Sequence, residues 1–246
     1  MNQLKLSATF ISTLFLFGCS KTDSENIRTK GIRAEIAITS VGSGLANDSE
    51  AIVRLYSGSG GFGGTLIELS EGDSLIAVID GESYGFSEVS ELFDHYYQAT
   101  LPTNNLNTEY KVSFVRDEGV SATESIVTLP DEFEIDSSTS VDVTKNDTLP
   151  VNWSPSFSGE NLTINYSFDC TTVEGGKLSI GGTQYINDDG AHTFDMAELV
   201  RDDIVTCDGK IDLKRINKGT IDPNFGEGGR IEGIQKRRID IDVTAS

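Results

Sequence analysis

Apolar and polar residues alternate with a period of two along most of this chain. Ile32, Ala34, Ile36 and Ile38 share one phase while Arg33, Glu35 and Thr39 take the other, the pattern of a half-buried strand. Similar strand signals recur at 51–56, 65–69, 74–79, 95–101, 109–116 and 121–129. Gly-rich turns separate several of them, the clearest at 58–64. A phosphate-cradling loop needs a helix after it and a Gly-Lys-Ser/Thr ending, and the sequence offers neither, so this loop is expected to connect a hairpin. Leu129-Pro130-Asp131 interrupts the alternation, and a new set begins at Phe133 and Ile135 and runs through Val141, Val143, Leu149, Val151 and Trp153. The pattern predicts an all-β chain divided into 31–129 and 131–246.

The first residues follow another rule. Met1 to Lys5 carries one positive charge, Leu6 to Phe17 is apolar or small, and the run closes on Leu16-Phe17-Gly18-Cys19. The apolar stretch is shorter than the roughly 20 residues a bilayer span needs, and reads as a cleaved signal over 1–18. Leu16 and Gly18 ahead of Cys19 resemble the bacterial lipobox, which implies cleavage between Gly18 and Cys19, diacylation of Cys19 and a lipid-anchored envelope protein. Ser20 stands where an Asp would imply inner-membrane retention, so the resemblance points to the outer membrane. The polar segment 19–30 is then expected to be a flexible tether.

Charge narrows the partners. The chain has a formal net charge of −20, and loss of 1–18 removes one Lys and no acid. Such a polyanion is repelled by nucleic acid and by anionic headgroups. The segment 201–246 alone is balanced, with 9 basic and 9 acidic residues. Its densest basic run, Lys236-Arg237-Arg238, is expected to be a solvated strand face rather than a docking patch.

Two cysteines remain for the folded part. Leu162, Ile164, Tyr166 and Phe168 alternate with polar residues and place Cys170 next on the apolar phase. Val205, Ile211 and Leu213 define an inward phase that also contains Cys207. Two inward cysteines in an exported chain predict a Cys170–Cys207 disulfide.

Leu106-Asn107-Thr108-Glu109-Tyr110-Lys111-Val112-Ser113-Phe114 resembles the tyrosine-corner segment of fibronectin type III domains, and 133–155 resembles the opening strands of a second fibronectin- or immunoglobulin-like unit. The resemblance implies two tandem antiparallel β-sandwich domains behind the lipoprotein signal, as in an uncharacterised bacterial outer-membrane lipoprotein family. It implies no activity. Trp153 is expected to fill the second core, with an exposed sugar-stacking platform as the alternative. The string 219–229 resembles a β-propeller repeat signature, but it occurs once, so it is read as a long ordered loop held by a buried Phe225.

Candidate chemistry is thin. Glu88, Glu91 and Asp94 have helical spacing and could pair carboxylates for glycoside hydrolysis, although a short solvated helix or loop is the plainer reading. His95 and His192 have no nucleophile motif beside them. A Cys170/Cys207/His zinc site lacks ligands. Asp188-Asp189, Asp202-Asp203 and Asp240-x-Asp242 suggest calcium without forming an EF-hand loop. The sequons at Asn47, Asn146, Asn152, Asn161 and Asn165 carry no weight in a bacterial lipoprotein. The expectation is a non-enzymatic envelope module without a cofactor, binding a protein partner through a sheet edge or loops. Glycan binding through Tyr96-Tyr97 and Trp153 is the alternative, and an envelope-polymer hydrolase stands behind both.

Overall fold

The computed structural model describes residues 21–42, 48–58, 64–91, 94–102, 108–136, 140–157 and 159–244. The signal segment with Gly18 and Cys19, and Leu106, lie outside the described residues. The first half contains β1 (Lys21–Asp23), β2 (Ile32–Ser40), β3 (Ser49–Ser57), β4 (Leu66–Glu68), β5 (Ser74–Ile79), β6 (Glu82–Gly85), β7 (Ser87–Ser90), β8 (His95–Leu101), β9 (Glu109–Val115) and β10 (Ala122–Thr128). The second contains β11 (Glu134–Ile135), β12 (Ser140–Thr144), β13 (Thr148–Ser154), β14 (Asn161–Thr172), β15 (Lys177–Asn187), β16 (Ala191–Asp195), the short α1 (Met196–Leu199), β17 (Ile204–Lys218) and β18 (Arg230–Thr244).

Among the described residues, one sheet of 11 strands underlies the whole molecule, in the order β1-β4-β3-β2-β18-β17-β14-β15, with β12 joined to β18 and the β7–β8 hairpin joined to β3. A four-stranded sheet, β10-β9-β5-β6, faces its first half and a three-stranded sheet, β11-β13-β16, faces its second. The fold is an all-β sandwich with two cores. Ile32, Ile36, Val53, Leu75, Tyr110 and Phe114 lie in the first, and Phe133, Trp153, Leu162, Phe168 and Ile211 in the second. Tyr110 is buried, and its hydroxyl donates to the Pro102 carbonyl at 3.4 Å, as the tyrosine-corner resemblance implies.

The β17–β18 hairpin joins the cores. Each strand has 15 residues, about 50 Å at roughly 3.3 Å per residue. β18 pairs with β2 from Arg230 to Gln235 and with β12 from Asp240 to Thr244, both in parallel. The sandwich is therefore mixed, where a purely antiparallel one was expected. β17 already supplies the antiparallel neighbour of β18, and β2 and β12 add to its other side. Phe225 and Ile231 pack in the first core, with the Phe225 ring 6.1 Å from that of Phe114. The string 219–229 is the ordered loop expected, but it serves the first core although it follows the second in sequence. Gly219 and Gly233 let β10 cross the hairpin closely: a Cβ would lie 2.1 Å from the Ile126 carbonyl oxygen or 2.3 Å from that of Thr128.

From Lys21 onward, the segment expected to be a tether is folded onto the first half. β1 pairs in parallel with β4, and two 3-10 turns follow at Ser24–Asn26 and Thr29–Gly31. Arg116 donates to the Ser24 and Ile27 carbonyls at 2.7 Å each, and the buried Ser24 hydroxyl donates to Asp73 at 2.6 Å. These polar contacts compensate for the segment's lack of apolar residues.

Candidate functional site

Three places hold the chemistry that the sequence suggested. The first is the β7–β8 hairpin. Glu88 lies on a strand rather than in a helix, because Ser87–Ser90 pairs antiparallel with His95–Gln98. The pairing brings Glu88, Ser90 and His95 together, and Lys21 reaches in from β1. The Tyr97 hydroxyl accepts a hydrogen bond from the Leu69 amide at 2.8 Å, and burial pushes its pKa up to about 12. The same hydroxyl lies 2.9 Å from His95 Nε2, and His95 Nδ1 lies 2.9 Å from Ser90 Oγ. Ser90 in turn donates to Glu88 at 3.1 Å. Burial, reinforced by the Lys21 charge, holds His95 below the usual histidine pKa.

Ser90 and Glu88 crowd one ring nitrogen of His95 while the other faces Tyr97. A nucleophile–base–orienter triad needs hydroxyl and carboxylate on opposite nitrogens. Ligand atoms of Glu68, Glu88 and His95 lie within 4.8 Å of one another, a spacing that suits a divalent cation. The Lys21 ammonium sits among them, bound to Glu68, 3.2 Å from Ser90 Oγ and 3.5 Å from His95 Nδ1. The chain thus supplies its own cation there. Asp94 is drawn away from this group: Arg54 clamps it with hydrogen bonds of 3.2 and 2.6 Å and holds its carboxyl below the usual range. A glycosidase general acid requires the opposite shift.

The second place lies between the cores. Along β17 the inward phase passes from Ile211 and Leu213 to Arg215, and along β18 it carries Gln235 and Arg237 between Ile231 and Ile239. Arg237 is buried over the Phe133 ring, so the run 236–238 is not the uniform solvated face expected. Arg238 binds Asp212 at 2.7 and 3.0 Å. Burial raises the Asp212 carboxyl, but the Arg238 hydrogen bonds and the nearby cations more than offset this and leave it below the usual range.

Arg215 contacts the rings of Phe133 and Phe157 at 4.6 and 4.5 Å. It donates to Asp188 at 2.6 and 3.0 Å and to the Asp131, Glu132 and Pro155 carbonyls. All five of its N–H groups are engaged inside the protein. Asp188, fully buried, also accepts from Trp153 Nε1 at 2.7 Å. The Asp188 carboxylate suggested for calcium is thus held by a guanidinium and an indole. Of the other acidic pairs, Asp203 accepts from Arg201 at 2.9 Å, and Asp240 and Asp242 point outward from β18. A cleft of about 280 Å³ opens beside this knot, lined in part by Pro130, Asp131, Phe157, Glu160 and Asn217.

The third place is the β14–β15–β17 end of the large sheet. Cys170 and Cys207 are direct cross-strand neighbours with Cα atoms 4.0 Å apart, and they form the expected disulfide, which removes them as metal ligands. Val205, counted as inward, is 39% exposed, because the ladder shifts between Thr171 and Thr172 and leaves it as the extra residue of a bulge. Beyond β14, the outer side of β15 has no strand partner among the described residues. Trp153 and Tyr97 are buried and cannot stack on a sugar, and Tyr96 lies half-buried beneath the Arg54 guanidinium. Among the described residues the most exposed aromatic ring is one that sequence reasoning passed over, Tyr185 of β15, at 78%.

No family model matches the chain. No curated protein matches it. Among solved structures it is similar to the adhesin InvE of Yersinia pseudotuberculosis, with 10% identity and a TM-score of 0.21 over 85% of this chain and 58% of that one. The chain thus spans less than two thirds of that protein's length. It is also similar to SGBP-B of the Bacteroides ovatus mixed-linkage glucan utilization locus, solved with a mixed-linkage heptasaccharide. There the identity is 12% and the TM-score 0.21, over 100% of this chain and 70% of the other.

Proposed function

We propose that this protein is a lipid-anchored, non-enzymatic interaction module of the bacterial outer membrane, acylated at Cys19, that takes a protein partner by strand addition along β15. The supporting observation is the character of that edge. β15 is the longest terminal strand among the described sheets, with 11 residues. It carries one charge, Lys177, in a chain of net charge −20. Leu178, Ile180 and Ile186 point toward the second core yet stay only half-buried, since no strand lies beyond them. Sheet edges are usually shortened, charged or covered against pairing, as at β1, which has three residues of which Lys21 and Asp23 are charged. β15 has none of these protections along its middle.

A photo-crosslinking residue placed at Ser179, Thr183 or Tyr185 in intact cells tests the edge. The reading requires one discrete protein adduct from these positions and none from Asp195 on β16. Adducts at every position, or at none, would overturn it. The anchor is tested separately by labelled palmitate, which should enter the native chain and not Cys19→Ala.

A further inference from the structure

We infer that the strand added to β15 is the β15 of a second copy of this chain, running antiparallel about a twofold axis through Gly182. This rests on the edge reading above and names its partner. An isologous strand pair must be self-complementary, and β15 is. With Gly182 opposite itself, Leu178 meets Ile186 and Ile180 meets Gln184 on the inner face, while Ser179 meets Tyr185, Gly181 meets Thr183 and Lys177 meets Asn187 on the outer face. The assignment of faces follows the β14–β15 ladder, in which Leu178, Ile180 and Ile186 oppose the buried Cys170, Phe168 and Leu162. A twofold axis perpendicular to the sheet keeps inner residues opposite inner ones, so the half-buried apolar row becomes continuous across the pair.

Gly182 fits this role. A Cβ there would lie 2.4 Å from the Tyr166 hydroxyl, so Tyr166 lies across the glycine on the inner face and reaches toward the free edge. In the pair, two Tyr166 rings approach each other over the axis and fill the space that side chains would otherwise occupy. Electrostatics selects the same strand. Two copies of net charge −20 repel over most of their surfaces. The two Lys177 groups lie at opposite ends of the paired strands, about 33 Å apart at roughly 3.3 Å per residue, well beyond the screening length of about 8 Å at physiological salt.

The test uses two differently tagged full-length copies expressed together, one carrying Ser179→Cys and the other Tyr185→Cys. A thiol-specific bifunctional reagent about 5 Å long is applied, matched to directly opposed Cβ atoms. The pair should link into a mixed dimer, each variant alone should not, and adding Thr183→Lys to both copies should lower the yield at least tenfold. Equal linking of Ser179→Cys with itself would overturn the register. Absence of linking, together with discrete β15 photoadducts to another protein, would overturn self-pairing and leave the edge reading standing. Absence of both would overturn both.

Discussion

The two cores sit on one sheet yet are held by different means. The first has no covalent link and is closed by segments from both ends of the described chain: residues 21–31, gripped by Arg116, and the loop that inserts Phe225. The second is closed by the Cys170–Cys207 bridge and by the Arg215–Asp188–Trp153 knot. The first core therefore depends on contacts between residues far apart in sequence, an arrangement that folds slowly. Both cores need the final hairpin, but the second can be assembled entirely from residues that follow the junction, whereas the first must bring that hairpin back to strands that precede it.

Removing the shared element should break this contrast most severely. Arg215→Ala leaves Asp188 buried without its guanidinium and uncaps three carbonyls, and is expected to cost about 5 kcal/mol. Because Arg215 lies on the joining hairpin, urea unfolding followed by probes in both cores should show both midpoints falling together. A fall confined to the second core would show that the two unfold independently. Cys170→Ala with Cys207→Ala should cost about 4 kcal/mol on the chain-entropy account, with the larger midpoint shift in the second core. Phe225→Ala should cost about 3 kcal/mol through the cavity left beside Phe114. Its effect should concentrate in the first core, although residue 225 follows the second in sequence.

The smallest expected effect is a pH dependence in the first half. The folded chain holds His95 below its usual pKa, so the unfolded chain binds a proton that the folded one refuses. Stability from this source is full above about pH 6.5 and falls as pH drops toward the depressed folded value. Glu88, Glu68 and Asp94 oppose the depression and Lys21 adds to it. His95→Gln should flatten the urea midpoint between about pH 5 and 7. A residual slope of the same sign should remain from His192, whose pKa burial also lowers.

Where a strand had one buried face, alternation marked it closely: Ser74–Ile79 and His95–Leu101 match β5 and β8 residue for residue. It missed β6 and β7, whose side chains are exposed or half-exposed and so show no apolar phase. It placed both cysteines inward because phase is local, and a local pattern survives a bulge nearby. The docked N-terminal segment was hidden because a hydroxyl and a guanidinium hold it. The destination of the last hairpin was also hidden, since its alternation would look the same against either core. The signal for its crossing was Arg215, Gln235 and Arg237 interrupting the inward phase. β15 was missed as a strand altogether, because Gly182 and Gln184 interrupt the apolar phase of Leu178, Ile180 and Ile186, and its edge position was unreadable with it.

The folded N-terminal segment sets the length of a leash. Extended chain spans at most about 3.6 Å per residue, so the two steps from Cys19 to Lys21 reach roughly 7 Å. If Cys19 carries acyl chains as proposed, the body rides on the bilayer like a hull, free to spin about the membrane normal but restricted in tilt. Two such copies would present their β15 edges at the same height. Confinement to a plane would then raise the effective concentration of one edge for another, so that a contact too weak to hold in dilute solution could persist at the membrane.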